Sequence, residues 1–486
     1  MKIFRKDKNP SALVSLLPFV FLVAALSIVI YVFGTDALSG ASQVALLFAA
    51  GFTVILSMVL YKTSWKVFEE SILENITSVG TSIVILLLIG AVSGSWMVSG
   101  VVPTMIYYGM KVIFPEIFLF ASCVISALIA VMTGSSWTTI ATIGVALVGI
   151  GTAQGYEPGW IAGAIISGAY FGDKISPLSD TTVLASSSAG TPLFTHIKFM
   201  MVTTVPSFVI TLIIFLIVSF LHNSSSSTHV ADFAHDLKNT FNISPWLLLV
   251  PVLTGVLIAR KVSAIATLFI AAVIAGVAAL ICQPEIIRYI ADPGATFTDK
   301  GLSFVDGFKG ISIMYYGATS VDTGNEALNS LVSTRGMTGM LSTVFLIIAA
   351  SCFGGTLVGG GMLQSLTDAL VRFVHKRVSM VASTVGTGIF ANMITGDQYL
   401  SILLTSSLYK KLYEERGYKS KLLSRSVEDS ATVTSVLIPW NSCGMTQATV
   451  LKVATLEYLP YCFFNLLSPL MSIFIAAIGY KIVRKK

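Results

Sequence analysis

Long apolar runs separated by short polar connections extend along almost the whole chain. A helix that crosses a bilayer needs about 20 mostly apolar residues. Runs of that kind cover residues 11–34, 41–61, 77–99, 159–190, 197–221, 245–259, 263–283, 339–359, 426–452 and 455–480. The pattern predicts an all-α polytopic membrane protein with about ten transmembrane helices. It also predicts short interfacial helices at 64–76, 100–114 and 360–377, and external loops at 222–244 and 284–338.

Two further apolar regions, 116–153 and 378–412, are each interrupted by polar residues around a glycine. A non-helical turn at membrane depth is tolerated only where protein or a water-filled cavity shelters it. We therefore expect two re-entrant hairpins, with two ordinary helix pairs joined by tight turns as the alternative. The expected tips are Thr133, Gly134, Ser135 and Ser136 in the first hairpin, and Thr395, Gly396 and Asp397 in the second.

The predicted spans 159–190 and 426–452 contain helix-breaking residues beside acids, amides and hydroxyls. Pro177, Pro439 and Gly444 are expected to interrupt these helices at mid-membrane, because proline removes a backbone donor. Breaks of this kind present oxygen atoms to small cations. The alternative is a proline-kinked helix in which Asp173 pairs with Lys174. The candidate cation- or proton-binding residues are Asp173, Ser176, Ser179, Asp180, Thr181, Asp429, Asn441 and Ser442.

Composition and charge narrow the class of protein further. Only 11% of the 486 residues are charged, whereas a soluble domain carries about 25%. With the N-terminus inside, 22 of the 30 Lys and Arg residues fall on the cytoplasmic side, as the positive-inside rule requires. Both termini are thus predicted to be cytoplasmic, and the clustered charge argues against nucleic-acid binding. Five scattered cysteines predict neither a disulfide nor a zinc site, and no cofactor is expected.

The chain matches itself at an offset of 262 residues without a gap over about 60 positions. The register predicts a first repeat at 1–221 and a second at 245–486, separated by the external loop. Five spans and one hairpin lie between equivalent points, so the halves should be inverted, as in secondary transporters. Four pairs combine a carboxylate in one half with a hydroxyl in the other, which suits cation–proton exchange. They are Asp173 with Ser435, Asp180 with Ser442, Asp429 with Ser167, and Asp397 with Ser135.

Three strings resemble the NhaC-type sodium/proton antiporters of the ion transporter superfamily. They are Met-Thr-Gly-Ser-Ser-Trp (132–137), Phe-Gly-Asp-Lys-Ile-Ser-Pro-Leu-Ser-Asp-Thr-Thr (171–182) and Ile-Pro-Trp-Asn-Ser-Cys-Gly (438–444). The resemblance implies inverted repeats, paired hairpins and a dimer whose transport domains move against scaffold domains. It also implies Na⁺/H⁺ exchange, with Asp173, Asp180 and Asp429 as the carboxylates. Relatives with the same strings are credited with exchanging organic acids such as malate and lactate.

The leading hypothesis is a Na⁺/H⁺ antiporter of the inner membrane that works by alternating access, with Na⁺ held through Asp180 and Asn441. The first rival is a Na⁺- or H⁺-coupled carrier of a small carboxylate. It is disfavoured by the expected lack of an intramembrane arginine, which would bind a carboxylate through two hydrogen bonds. An intramembrane enzyme or a channel is a distant alternative. No histidine is expected at the broken spans: His196 and His375 are assigned to inside-facing segments, and three more histidines lie in the 222–244 loop.

Overall fold

The computed structural model describes residues 10–33, 40–221, 227–260, 262–292, 302–321, 323, 328–329, 332–371 and 377–480. The extreme termini, which the charge pattern places in the cytoplasm, lie outside these residues. So do parts of both predicted external loops and His375. Over the described residues the chain is helical apart from its connections, and its one β-type pairing is an isolated bridge between Thr319 and Thr334.

Within the described residues, the first half of the chain contains twelve α-helices. They are α1 (Ala12–Phe33), α2 (Ala41–Tyr61), α3 (Trp65–Ser78), α4 (Gly80–Val98), α5 (Val101–Val112), α6 (Phe118–Thr133), α7 (Ser136–Thr139), α8 (Val145–Ala153), α9 (Pro158–Ile175), α10 (Asp180–Ser188), α11 (Leu193–Leu221) and α12 (Ser227–Thr240). A π-helical turn, Ile140–Gly144, joins α7 to α8, and a 3₁₀ turn, Pro115–Ile117, precedes α6.

The second half continues in the same manner. Its helices are α13 (Leu249–Ala259), α14 (Ala264–Cys282), α15 (Pro284–Ala291), α16 (Phe304–Tyr316), α17 (Leu341–Gly359), α18 (Met362–Val371), α19 (Arg377–Thr395), α20 (Gln398–Glu415), α21 (Ser420–Val427), α22 (Ser442–Leu451), α23 (Thr455–Tyr458) and α24 (Phe463–Ile478). A π-helical segment, Glu428–Thr432, extends α21, and 3₁₀ turns cover Pro245–Leu248, Gly336–Met340, Ser435–Leu437 and Leu459–Tyr461.

The predicted membrane character is confirmed. Nine helices in the described ranges are long and apolar enough to cross a bilayer, and the number rises to eleven if each of two bent helix pairs forms one span. The predicted spans 159–190 and 426–452 are not among the nine, and each is divided by a break. These broken spans are built from α9 with α10 and from α21 with α22.

The two predicted external loops, 222–244 and 284–338, contain helices that their sequence did not predict. Residues 227–240 of the first form α12, whose Phe233 and Leu237 are buried together with Phe241 just beyond it. The second contains α15 and α16, which pack against each other, and α16 also packs against α4. These helices have 8 to 14 residues, and their apolar faces are too short to be recognised as transmembrane segments.

Helix ends in the two halves coincide at the 262-residue offset. Four boundaries agree across the hairpins and broken spans, although α9 continues to Ile175 whereas its counterpart α21 ends at Val427. This agreement supports the predicted register, whereas the inverted relation of the halves stays a prediction. The matching positions are Thr133 and Thr395 at the ends of α6 and α19, Ala153 and Glu415 at the ends of α8 and α20, Pro158 and Ser420 at the starts of α9 and α21, and Asp180 and Ser442 at the starts of α10 and α22.

Close packing of α6 against α9 brings the first hairpin onto the first broken span. Glycines on α9 face α6, and a Cβ atom at Gly168 would lie only 2.0 Å from the carbonyl oxygen of Cys123. At Gly172 the same atom would lie 2.2 Å from the carbonyl oxygen of Ala127. Small residues allow helix backbones to approach in this way, so the end of α6 and the end of α9 reach the same depth.

Candidate functional site

Both hairpins turn at a glycine in the left-handed conformation, as predicted. Gly134 ends α6 with φ 65° and Gly396 ends α19 with φ 63°. Each turn is followed by a residue that caps the next helix: the Ser135 hydroxyl accepts from the Thr138 amide, and the Asp397 carboxylate accepts from the Leu400 amide. The sequence folds this way because glycine tolerates positive φ at a helix C-terminus and serine or aspartate stabilises the next N-terminus.

A threonine closes each turn with the same set of hydrogen bonds. In the second hairpin the Asp397 amide donates to the Thr395 hydroxyl oxygen at 3.2 Å, and that hydroxyl donates back to the Asp397 carbonyl at 2.9 Å. In the first hairpin Thr133 makes both bonds with Ser135, each at 3.1 Å. The backbone of each turn is therefore hydrogen-bonded by a side chain of the same turn.

The first broken span carries its polar residues on both sides of a four-residue gap, 176–179. Asp173 lies in the last turn of α9 and is buried, while Asp180 opens α10 and is exposed. Inside the gap, the Ser176 hydroxyl donates to the Val131 carbonyl of α6 at 2.8 Å. Ser179 caps α10, and its hydroxyl oxygen lies 3.0 Å from that of Thr181. Pro177 lies in this gap and is exposed.

The second broken span repeats this arrangement with an amide in place of the carboxylate. The break covers residues 438–441 around Pro439, and Asn441 caps α22 by accepting from the Cys443 amide at 3.1 Å. Ser442 and Asn441 are both buried. The expectation that Gly444 breaks the helix is wrong: it lies inside α22, where a Cβ atom would stand 2.2 Å from the Ile438 carbonyl oxygen. Glycine is needed there so that residues 438–441 of the break can pack against the first turn of α22.

Each hairpin tip contacts the broken span of its own half. The Ser136 amide donates to Oδ2 of Asp173 at 3.0 Å. In the second half the Ser442 amide donates to the Gly396 carbonyl at 2.8 Å. Ser136 and Gly396 thus connect the two hairpin tips to the two breaks.

Three of the predicted acids surround one aromatic side chain. Tyr399, two residues after the second tip, lies within electrostatic range of Asp173, Asp180 and Asp397. Oδ2 of Asp397 is buried and has no hydrogen-bond partner among the described residues. Carboxylates from both halves therefore share one region between the tips and the first break. In the ranges that the structure describes, no three His, Cys, Asp or Glu side chains converge closely enough to hold a metal ion.

Asp429 lies in a different environment from the other predicted acids. It forms an ion pair with Lys174, and both side chains are fully buried. Oδ1 of Asp429, which contacts the Lys174 ammonium, also accepts from the Thr203 hydroxyl at 3.1 Å. The Ser468 hydroxyl accepts from Lys174 at 2.8 Å and donates to Asp429 at 3.3 Å. Lys174 therefore pairs across the two halves with Asp429 and not with its neighbour Asp173, the alternative considered from the sequence.

The expectation that no histidine lies at the broken spans is wrong, and an arginine near the second break is buried although its sequence position did not predict burial. Arg425, assigned to a cytoplasmic segment, is fully buried at the end of α21, with Nε 3.8 Å from Oδ2 of Asp429 and Cζ 4.8 Å from the Phe199 ring centroid. His196 is also fully buried, and its Nε2 lies 4.0 Å from Oε2 of buried Glu428. Both were missed because basic residues close to a helix end are indistinguishable by sequence from topology signals.

The buried ionic cluster thus consists of Lys174, His196, Arg425, Glu428 and Asp429. Its acids lie in the π-helical segment Glu428–Thr432, a distortion that is frequent at functional sites. Charges taken out of water are costly unless they are paired and hydrogen-bonded. Titratable groups placed so deep in a membrane protein mark ion or proton pathways by default. The molecule therefore has two polar regions. One contains the acids near the hairpin tips, and the other is the buried ionic cluster of acidic and basic residues.

Comparison with known proteins agrees with this architecture. The model of the Na⁺/H⁺ antiporter family matches residues 6–190 and 168–480. The Na⁺/H⁺ antiporter NhaC of Alkalihalophilus pseudofirmus is 36% identical over 418 residues, which is 86% of each chain. The malate-2H⁺/Na⁺-lactate antiporter of Bacillus subtilis is 34% identical over 85% of each chain. The arginine/ornithine antiporter ArcD of Halobacterium salinarum is 31% identical over 99% of this chain and 95% of its own.

These relatives are antiporters by name, and the family match spans nearly the whole chain. The match also covers both hairpins, both broken spans and the buried ionic cluster. This multi-pass membrane protein belongs to the Na⁺/H⁺ antiporter family.

Proposed function

We propose that the protein exchanges Na⁺ for H⁺ across the cytoplasmic membrane by alternating access. The observation that carries the proposal is the placement of Asp173: a buried carboxylate at a helix break, held by the amide of a hairpin tip, next to the exposed Asp180. Asp180 supplies an accessible carboxylate where Na⁺ enters, and Asp173 supplies the buried one. Hydroxyl oxygens of Ser179 and Thr181 complete the oxygen-rich wall.

The second half contributes the opposite wall of this site. Asp397, Asn441 and Ser442 lie at the second tip and break, and Oδ2 of Asp397 is free to accept a cation. A hard monovalent cation is held by carboxylate, hydroxyl and amide oxygens without a cluster of three acids. Asp429 is then the counter-ion of Lys174, and its effect on transport is electrostatic.

Movement of the hairpins and broken spans against the remaining helices would expose the site to either side in turn. The coinciding helix ends support two repeats with equal local structure, and an inverted relation between them would give the site two equivalent exits. In this arrangement both termini are cytoplasmic and the protein forms a homodimer through its scaffold helices. The lipid-facing helices α1, α2, α11 and α14 carry many exposed apolar side chains suited to that environment.

A small carboxylate is a second candidate cargo. The observation that favours it is Arg425, whose three guanidinium nitrogens have no hydrogen-bond partner among the described residues. One relative is named for malate and lactate, and another for arginine and ornithine. Na⁺/H⁺ exchange is preferred because Arg425 already lies beside Asp429 and stacks on Phe199, away from the hairpin tips.

Transport by the purified protein in proteoliposomes tests the proposal. A Na⁺ gradient should drive proton movement in the opposite direction, reported by a trapped pH dye, and Asp180→Asn should reduce that flux at least tenfold. Glu415→Gln, on an exposed surface pair with Lys411, is the matched control and should transport normally. Normal exchange by Asp180→Asn would remove that residue from the site. Flux driven by malate, lactate or arginine gradients in place of Na⁺ would establish the second candidate.

A further inference from the structure

Glu428 is a buried acid whose carboxylate receives no hydrogen bond from the described residues, and Nε2 of His196 lies 4.0 Å from its Oε2 atom. Its side chain is fully inaccessible, and neither Oε1 nor Oε2 has a hydrogen-bond partner within the described part of the chain. The Thr432 hydroxyl faces the Glu428 carboxylate without forming a hydrogen bond of ordinary geometry. An ionised carboxylate in such a place costs several kcal/mol, whereas the neutral acid avoids that cost. The geometry therefore favours a proton on Glu428.

Its neighbour Asp429 provides a direct contrast. Asp429 is equally buried, yet it receives the Lys174 ammonium and the hydroxyls of Thr203 and Ser468. Those donors stabilise a carboxylate anion. Two adjacent acids in one π-helical segment thus have opposite surroundings: the Asp429 carboxylate receives three donors, whereas the Glu428 carboxylate receives no hydrogen bond within the described ranges.

Charged and polar groups reach this segment from every element packed on it. Helix α9 contributes Lys174 and Asp173, both within electrostatic range of Glu428, and α11 contributes His196 at 4.0 Å. From α21 comes Arg425, which faces Asp429. Helices α19, α20 and α24 contribute neutral groups, whereas α10 begins with the acid Asp180. The neutral contacts are Asn392 to the Ala431 carbonyl, Gln398 to the Thr432 carbonyl and Asn465 to the Val433 carbonyl.

We propose that Glu428 binds the proton that is exchanged for Na⁺, and that His196 passes it between Glu428 and the membrane surface. This inference rests on the proposed Na⁺/H⁺ exchange and assigns its proton to a residue outside the cation site. His196 is suited to the relay because one ring nitrogen faces Glu428 and the other, Nδ1, lies 2.9 Å from the Ser424 hydroxyl.

The proposed proton path through His196 runs towards the starts of α11 and α21. His196 lies in the first turn of α11, next to the exposed Phe194 and Thr195. Ser424 lies one turn from the start of α21, where the Thr191 hydroxyl donates to Ser420 at 2.9 Å. In the exit direction, the Glu428 O–H bond breaks and its proton joins Nε2, while a second proton leaves Nδ1 towards Ser424 and solvent. The 4.0 Å gap is closed by a small side-chain movement or one bridging water.

Asp173 couples the proton site to the cation site. With Asp173 negative and unoccupied, its field adds to the burial of Glu428 in disfavouring a second negative charge there, so the proton is retained. When Na⁺ neutralises Asp173, that repulsion ends and Lys174 favours the Glu428 anion, so the proton leaves. Binding of one cation therefore releases the other, which is the thermodynamic requirement for antiport.

The pH dependence of Na⁺ affinity in proteoliposomes tests this assignment. For one competing proton the apparent Na⁺ affinity should change about tenfold per pH unit. Glu428→Gln imitates the protonated acid and should reduce that change to under about twofold, while exchange of ²²Na⁺ for unlabelled Na⁺ continues. His196→Gln should slow the proton flux with the pH dependence of affinity retained. Glu415→Gln should leave both properties unchanged.

The outcomes separate the two proposals. If the wild-type protein shows no ²²Na⁺ exchange, the proposed Na⁺ transport itself is wrong. If the wild type exchanges Na⁺ and Glu428→Gln keeps the tenfold dependence on pH, only the assignment of Glu428 is overturned. A measurement on the wild type avoids reliance on the variant's folding: dicyclohexylcarbodiimide, which modifies protonated acids in apolar surroundings, should inhibit exchange and label Glu428, with protection by Na⁺. Inhibition with the label on another acid and Glu428 unmodified would contradict the proposal.

Discussion

Replacing Asp429 by asparagine would remove the counter-ion of a fully buried lysine. The Lys174 ammonium would keep the Ser468 hydroxyl at 2.8 Å but lose its only pairing carboxylate among its described contacts. Removing one partner of a buried ion pair costs about 3–5 kcal/mol, because the other charge is left uncompensated. The fold should survive this loss in a weakened form.

The expected shift in melting temperature follows from the length of the chain. An unfolding entropy of about 2.1 cal/mol/K per residue gives about 1 kcal/mol/K for 486 residues. Asp429→Asn should therefore lower the Tm by about 3–5 °C, measured by tryptophan fluorescence in lipid–detergent micelles. Glu415→Gln, which opens the exposed pair with Lys411, should shift it by less than about 1 °C.

A double variant distinguishes loss of the pair from other effects of the substitution. Lys174→Met combined with Asp429→Asn removes both charges, so it should be more stable than Asp429→Asn alone. If Asp429→Asn melts within 1 °C of the wild type, or if the double variant is the less stable protein, the two side chains are not a buried ion pair and the reasoning fails.

Two further predictions concern the hairpin tip and the cation site. Gly134→Ala combines positive φ with a Cβ only 2.7 Å from the backbone of Leu178, so it should reduce exchange at least tenfold and lower the Tm. Gly417→Ala has the same backbone strain with nothing within 4 Å, and it should lower only the Tm, by the cost of about 1–2 kcal/mol for a side chain in that conformation. Equal transport by the two variants would refute the docking role of the tip. Asp173→Asn keeps an oxygen for the Ser136 amide but loses the charge. The variant should have a normal Tm and at least tenfold lower Na⁺-driven flux. Unaltered flux would exclude Asp173 as a ligand.

The breaks and tips were predictable because each carries its own local signal. A glycine followed by a capping side chain, or a proline among hydroxyls, interrupts an apolar run in a way that no continuous transmembrane helix shows. The 262-residue register was predictable for the same reason, since the same local signals recur in both halves. Only Gly444 was misjudged, because its role is to accommodate a neighbouring carbonyl and not to end a helix.

The buried ionic cluster was not predictable. Lys174 and Asp429 are 255 residues apart, and their pairing depends on how α9 packs against the π-helical segment. Arg425 closes a run of basic residues that otherwise faces solvent, so its burial has no signature in composition or spacing. His196 was misplaced similarly, because its position one turn inside α11 is set by packing against α21.

The threonine-closed turns have a consequence for the biogenesis of the protein. Every hydrogen bond that closes the tip at Thr133 or Thr395 joins residues no more than six positions apart. Each hairpin also precedes, in order of synthesis, the broken span on which its tip rests. A hairpin can therefore enter the lipid with its turn already satisfied, before its docking partner has left the ribosome. Because these hydrogen bonds are local, insertion of a hairpin into the membrane does not depend on its later packing against the broken span.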